Sequence, residues 1–142
     1  MNVGAKIRAF VCALAVSFPL AALAGPAPDG DNDTVPDVLD NCSALANAGA
    51  LGCDTDVDGY GNACDGDFNQ SNTSDATDFG TIFLPDFVSG TDAGTGTDMN
   101  CGTTGGANVV DATDFSGFFL PQFTQGVPGP SGLPCAGIVP CK

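Results

Sequence analysis

Aspartate recurs at every second position in short runs: Asp29, Asp31, Asp33 and then Asp54, Asp56, Asp58. Like charges at that spacing are costly to bury, and they repel one another unless something cationic sits among them. The chain supplies no such counter-charge. Its 17 acidic residues are all Asp, against three basic residues and no His, for a net charge of -14. With 20 Gly and 10 Pro in 142 residues, it has the material for one small domain or two very small ones. A field of this sign repels nucleic acid and anionic membrane, so both are poor partners and no nucleic-acid binding is expected.

Residues 1–24 read as a secretory signal peptide. Lys6 and Arg8 precede an apolar run from Ala9 to Ala24 that ends in the small-x-small site Ala22-Leu23-Ala24. The run is short for a membrane span and contains Pro19. The expected protein is therefore exported, with no membrane insertion after cleavage. In what remains, 17 aspartates face one lysine and six cysteines: Cys42, Cys53, Cys64, Cys101, Cys135 and Cys141. An even count in a small exported chain points to disulfides. Without a Cys-x-x-Cys pair or a histidine, zinc is weakly supported.

Three zones follow. Residues 25–66 are dense in Asp and Cys, residues 67–123 hold most of the aromatics, and residues 124–142 are rich in Gly and Pro with two cysteines. The middle zone is duplicated. Asp75-Ala76-Thr77-Asp78-Phe79 returns as Asp111-Ala112-Thr113-Asp114-Phe115, and Phe83-Leu84-Pro85 returns as Phe119-Leu120-Pro121, with a period of 36 residues. Neither copy has enough apolar surface alone, so the two are expected to pack together.

Asp75 with Asp78, and Asp111 with Asp114, have capping-box spacing. Phe79, Ile82, Phe83 and Phe115, Phe118, Phe119 form helical stripes, read as core, and Pro85 and Pro121 are expected to end each helix after about two turns. Val88 to Thr97 reads as a flexible link. The expected fold is small, Ca2+-stabilised and disulfide-braced, with irregular Asp-rich loops, a few short helices and little or no strand.

The carboxylate spacing carries the chemistry. Ca2+ takes six to eight hard oxygens, which a 12-residue loop supplies from positions 1, 3, 5, 7, 9 and 12, usually with Gly at 6. The first window offers Asp29, Asp31, Asp33, Asp37 and Asp40, with Thr34 in the glycine position. The second offers Asp54, Asp56, Asp58, the Tyr60 carbonyl, Asn62 and Asp65, with Gly59 at position 6. The third offers Asp67, Asn69, Ser71, the Thr73 carbonyl, Asp75 and Asp78, with Asn72 replacing Gly.

The fourth window is altered. Counting back from Asp114 puts Ala107 and Gly105, which lack side-chain oxygens, at ligand positions, while Asp98 and Asn100 repeat the Asp67/Asn69 pair five residues early. Cys101 to Gly106 is read as containing a five-residue insertion that leaves Asp98, Asn100, Asp111 and Asp114 around an altered site. Mg2+ fits such sets less well, and transition metals prefer nitrogen or sulfur ligands.

Asp29-Gly-Asp-Asn-Asp-Thr-Val-Pro-Asp-Val-Leu-Asp-Asn-Cys42 resembles a thrombospondin type 3 repeat, whose motif runs DxDxDGxxDxxDNC, and Asp54 to Asp65 looks like the next repeat. The resemblance implies Ca2+-wrapped units with little apolar core, and it suggests a Cys42–Cys64 bridge with the partner of Cys53 left open. The partner of Cys101 is likewise open, with Cys135 and Cys141 of the tail both available. Residues 67–87 and 98–123 look like the two halves of a dockerin, a duplicated Ca2+ loop-helix family. In that family, loop positions 10 and 11, here Ala76, Thr77, Ala112 and Thr113, help to bind cohesins.

Catalysis is not expected. No His is present, Lys142 is terminal and Tyr60 lies in a cation loop, so no nucleophile with a base can be assembled. Paired carboxylates would need a cleft that loops of this size do not build. The expected function is that of a secreted Ca2+-binding structural or adhesive module of the cell surface or extracellular matrix, and the mixture of the two repeat types resembles that of bacterial exported proteins. Docking to a cohesin-like or envelope partner through the Phe-bearing helices is the second reading, and self-assembly into a fibre or surface layer the third.

Overall fold

The computed structural model describes residues 25–141; the expected signal peptide lies outside the described residues. Single 3-10 turns form at Asp37–Leu39, Gly49–Leu51 and Asn62–Cys64, and no strand is present among the described residues. The duplicated zone forms two helical rods. The first runs through α1 (Ala76–Asp78), a π-helical turn (Phe79–Phe83) and α2 (Leu84–Ser89). The second joins a π-helical turn (Asp114–Phe119) to α3 (Leu120–Gln125).

Each rod starts on the capping pair. Asp75 Oδ1 accepts from Thr77 N–H at 2.7 Å while Asp78 Oδ2 accepts from Asp75 N–H at 2.9 Å. In the second copy Asp111 accepts from Thr113 N–H and Asp114 from Asp111 N–H. The ends differ from expectation, because the helices continue through Pro85 and Pro121. The π turn is the reason. Leu84 N–H reaches back to Phe79 O, and Leu120 N–H to Phe115 O, so each proline falls in the first turn of a fresh α segment where its missing N–H is not needed. The rods stop instead at Gly90 (φ 72°) and Gly126 (φ 77°), left-handed residues that glycine adopts without a Cβ clash.

The rods pack against each other. Phe83 and Phe119, both nearly fully buried, stack with centroids 4.8 Å apart and planes 14° apart. Phe68 stacks on both, and Met99 and Val110 complete the cluster with Phe79, Ile82, Phe115 and Phe118 at its edge. The inner Phe side chains are thus core. Leu84, Phe87, Leu120 and Phe123 remain more than a third exposed.

Disulfides join this core to the Asp-rich loops. Cys42–Cys64 sits with Ala63 and Phe118 in a second buried cluster. Cys53 pairs with Cys101, tying the first zone to the duplicated one, and Cys135 pairs with Cys141 inside the tail. The pairings left open for Cys53 and Cys101 are thus resolved in favour of each other, because the second Asp-rich window lies beside the fourth, where Asn62 Nδ2 also donates to Asp98 O.

The segment Val88–Thr97 is likewise not a loose link. Asp86 Oδ2 accepts from Ala93 N–H and from the Thr95 and Thr97 hydroxyls, and Asp92 Oδ1 accepts from Gly94 and Thr95 N–H. Two buried carboxylates with this many donors fold the segment onto itself.

Candidate metal centre

All four windows wind in the same way. Positive φ occurs at position 4 of each (Asn32, Val57, Gln70, Cys101) and again at position 6 (Thr34, Gly59, Asn72, Asn108). Every non-glycine residue with positive φ among those described belongs to this set. In the first three loops the two left-handed residues flank position 5 and bend the chain there, which is how a short loop brings alternate side chains together. Thr34 and Val57 are β-branched, a poor choice for that conformation, so the winding is imposed on them by their surroundings.

The first aspartate of each loop fixes the turn. Asp29 accepts from Thr34 N–H at 3.1 Å, and Asp54 accepts from Asp58 and Gly59 N–H at 3.2 and 3.0 Å. Asp67 accepts from Ser71 and Asn72 N–H at 2.9 and 2.5 Å. Asp98 accepts from Gly102 N–H at 3.0 Å and then, across the insertion, from Asn108 N–H at 2.7 Å. Because Gly102 and Asn108 take the places of Ser71 and Asn72, the looped-out residues are 103–107, slightly later than Cys101–Gly106.

Two loops gather three carboxylates each. Oxygens of Asp29, Asp31 and Asp33, and of Asp54, Asp56 and Asp58, all lie within 4.8 Å of one another, so each triad is able to hold a metal ion. In the first loop, Asp29 Oδ1, Asp31 Oδ2 and Asp40 Oδ2 are buried and have no hydrogen-bond partner. Leaving such oxygens unpaired is costly unless a cation meets them. All three basic side chains of the chain lie outside the described residues, so none of those residues supplies the cation.

The closing aspartate is deeply placed. Asp40 holds Cys42 N–H, and burial together with Asp33, Asp31 and Asp37 raises its pKa; Asp37 itself accepts from Gly30 N–H. Asp65 holds Asp67 N–H and is pushed well above the ordinary carboxylate range by burial and by Asp58, Asp56 and Asp67. Burial, then Asp58 and Asp54, raises Asp56 to about 6, against a hydrogen bond from Gln70. Asp58 is raised by burial and by Asp54 and Asp67. Asp67 of the third loop therefore adjoins the second cluster.

Other sequence-selected residues are placed differently. The Asn62 amide faces Thr55 and the Asp98 carbonyl, so its oxygen accepts from Thr55 N–H. No protein donor among the described residues takes the Tyr60 carbonyl. In the third loop Asn69 is exposed, its N–H donating to Asp78, and the Ser71 hydroxyl meets Asp67 and Thr73. Asp75 is spent on the helix cap, and burial raises Asp78.

In the fourth loop Asp114 accepts from Asn100 and Asp111 N–H, matching Asp78, and burial raises it too. Asn100 gives its oxygen to Thr104 N–H of the insertion, leaving its buried amide nitrogen without an acceptor. Three aspartates converge only in the first two loops. The third and fourth bring together a first aspartate and a buried twelfth, with weaker oxygens between.

Asn47 belongs to the first cluster although it lies outside every Asp-rich window. It is 2 % exposed, its N–H donates to Asp33 Oδ2 at 2.9 Å, and its amide nitrogen, in the orientation its neighbours favour, lies 3.1 Å from Asp40 Oδ1. It braces the first cluster from the small-residue stretch 44–50, where nothing in the local pattern marks it. Compared with protein-family models, curated proteins and solved structures, the chain gives no match.

Proposed function

We propose that this chain is a secreted, calcium-folded structural or adhesive module whose Asp-rich loops are thrombospondin type 3-like in residues 29–65 and dockerin-like in residues 67–123. The observation that supports the reading most strongly is the trio of buried, unpartnered oxygens on Asp29, Asp31 and Asp40. A hard divalent cation with flexible, all-oxygen coordination suits that donor set, and Ca2+ is the ion of that description. Bound there, it supplies charge neutralisation and cross-links loops that have little apolar core of their own. Extracellular modules of this kind work at roughly 10⁻⁴ to 10⁻³ M Ca2+.

The test is a calcium titration of the oxidised protein lacking residues 1–24, followed by circular dichroism and native mass. Discrete bound ions with a gain of ordered structure are expected. No uptake at millimolar calcium, with spectra unchanged by chelator, would remove the proposal.

Docking is the second reading. The observation favouring it is a duplicated apolar face, in which Leu84 and Phe87 on one rod match Leu120 and Phe123 on the other, all partly exposed. Replacing Phe87 and Phe123 by Ser should leave calcium-dependent folding intact while abolishing capture of an envelope partner. Retained capture would dismiss this reading. Calcium-dependent growth to large particles would instead favour self-assembly.

A further inference from the structure

The C-terminal segment runs back along the first two loops. Gly129 N–H donates to Cys64 O, Gly132 N–H to Asp40 O, and Ser43 N–H to Pro130 O, at 2.8 to 2.9 Å. Beyond these, three successive carbonyls of the second loop are taken. Cys141 N–H donates to Val57 O at 2.7 Å, Gly137 N–H to Asp58 O at 2.8 Å, and the Ser131 hydroxyl to Gly59 O at 2.6 Å. No donor among the described residues reaches the matching carbonyls of Asn32, Asp33 and Thr34, or of Gln70, Ser71 and Asn72. In the fourth loop only the Asn108 carbonyl is taken, by Asp92 N–H at 3.0 Å, so among the four loops the second alone has all three carbonyls gripped.

The approach is close enough to require glycine on both sides. A Cβ on Gly59 would lie 2.5 Å from Cys141 Sγ, one on Gly129 would lie 2.8 Å from Tyr60 Cε1, and one on Gly132 would overlap the Asp37 carbonyl. The Cys135–Cys141 bond closes a short ring that carries Gly137 and Cys141 onto the loop together.

We propose that residues 126–141 are a clamp that winds the second loop into its cation-binding shape before the cation arrives, with Ser131, Gly137 and the Cys135–Cys141 ring as positioning residues. The inference rests on the calcium reading above. Val57 is a β-branched residue at φ 62°, and Asp54, Asp56 and Asp58 repel one another, so a free loop would unwind. Holding the carbonyls of positions 4, 5 and 6 fixes the backbone that carries Asp56 and Asp58, while the Tyr60 carbonyl is left without a donor among the described residues. A loop already wound loses less freedom on binding, and so binds more tightly.

The chain holds one Tyr and no Trp, and that Tyr60 occupies position 7 of the clamped loop. Tyrosine-sensitised terbium luminescence therefore reads ions beside Tyr60, in the second loop and at the adjoining Asp67 of the third, while native mass counts all bound ions. In C135S/C141S the terbium concentration for half-maximal emission should rise about tenfold, with the other ions bound as before. S131A, which spares the ring, should shift the same midpoint about threefold.

Emission curves superimposable on the unmodified protein would overturn the clamp while leaving the calcium reading standing. Absence of any bound ion in the unmodified protein would remove both. Should the double variant lose its phenylalanine circular-dichroism signal, S131A decides, and an unshifted midpoint there counts against the clamp.

Discussion

Asn72 and Asn108 occupy the same left-handed turn in the two copies of the repeat, at φ 66° and 60°, and each donates its N–H to the aspartate that opens its loop. The aspartate lies five residues back in one case and ten in the other, so the insertion is accommodated without moving the turn. Deleting residues 103–107 should restore a loop of the third kind and free the Asn100 oxygen from Thr104. Native mass of the deletion protein in calcium is expected to show one more ion than the full chain; an unchanged count would mean that the insertion is not what limits this site.

Thr34 stands at φ 82° where the second loop has Gly59. A β-branched residue in that region costs roughly 1–2 kcal/mol, most of which glycine avoids. Thr34→Gly is expected to stabilise the calcium-loaded protein by about 1 kcal/mol in urea denaturation. A loss of stability would show that the Thr34 side chain makes a contribution larger than its strain.

Asp58 and Asp92 are both buried, but in different roles. Asp58 belongs to the second triad, whereas Asp92 holds the N–H groups of Gly94 and Thr95. Asp58→Ala should weaken calcium binding in titration. Asp92→Ala should keep the ion count and lower stability by about 1–3 kcal/mol, the cost of orphaned donors. Equal losses of calcium affinity would contradict the assignment.

Phe83 and Phe119 share the centre of the core. Either one changed to Ala should cost about 3–5 kcal/mol in calcium-saturated denaturation, against well under half of that for exposed Phe87. Comparable costs at Phe83 and Phe87 would argue that the rods are covered by something in solution.

The acidic clusters set opposite pH trends with and without calcium. Asp56 is raised from 3.8 to about 6, and burial with the neighbouring aspartates raises Asp65 as well, so the folded apo protein holds protons that the unfolded chain releases. Stability without calcium is therefore expected to fall as pH rises from 3.8 through about 6. Calcium must displace those protons, so its apparent affinity should rise over the same interval. Thermal melts with chelator and with calcium across this range check the signs; parallel trends would place the carboxylates away from the cation.

The alternation of aspartates and the capping pairs are legible in the primary structure because each depends on neighbours within a dozen residues, and the 36-residue duplication because its two copies repeat the same residues in the same order. From these follow the two rods, the buried Phe83 and Phe119, and the two triads Asp29/Asp31/Asp33 and Asp54/Asp56/Asp58. Other features required the folded chain. The π turn that carries each rod past its proline, the Cys53–Cys101 link, the carboxylate network around Asp86 and the grip of residues 126–141 on Val57, Asp58 and Gly59 all join groups that local spacing does not relate. Residue order sets which oxygens a single turn can gather; only packing between distant segments determines which of them are left without a partner, and so where a cation is needed.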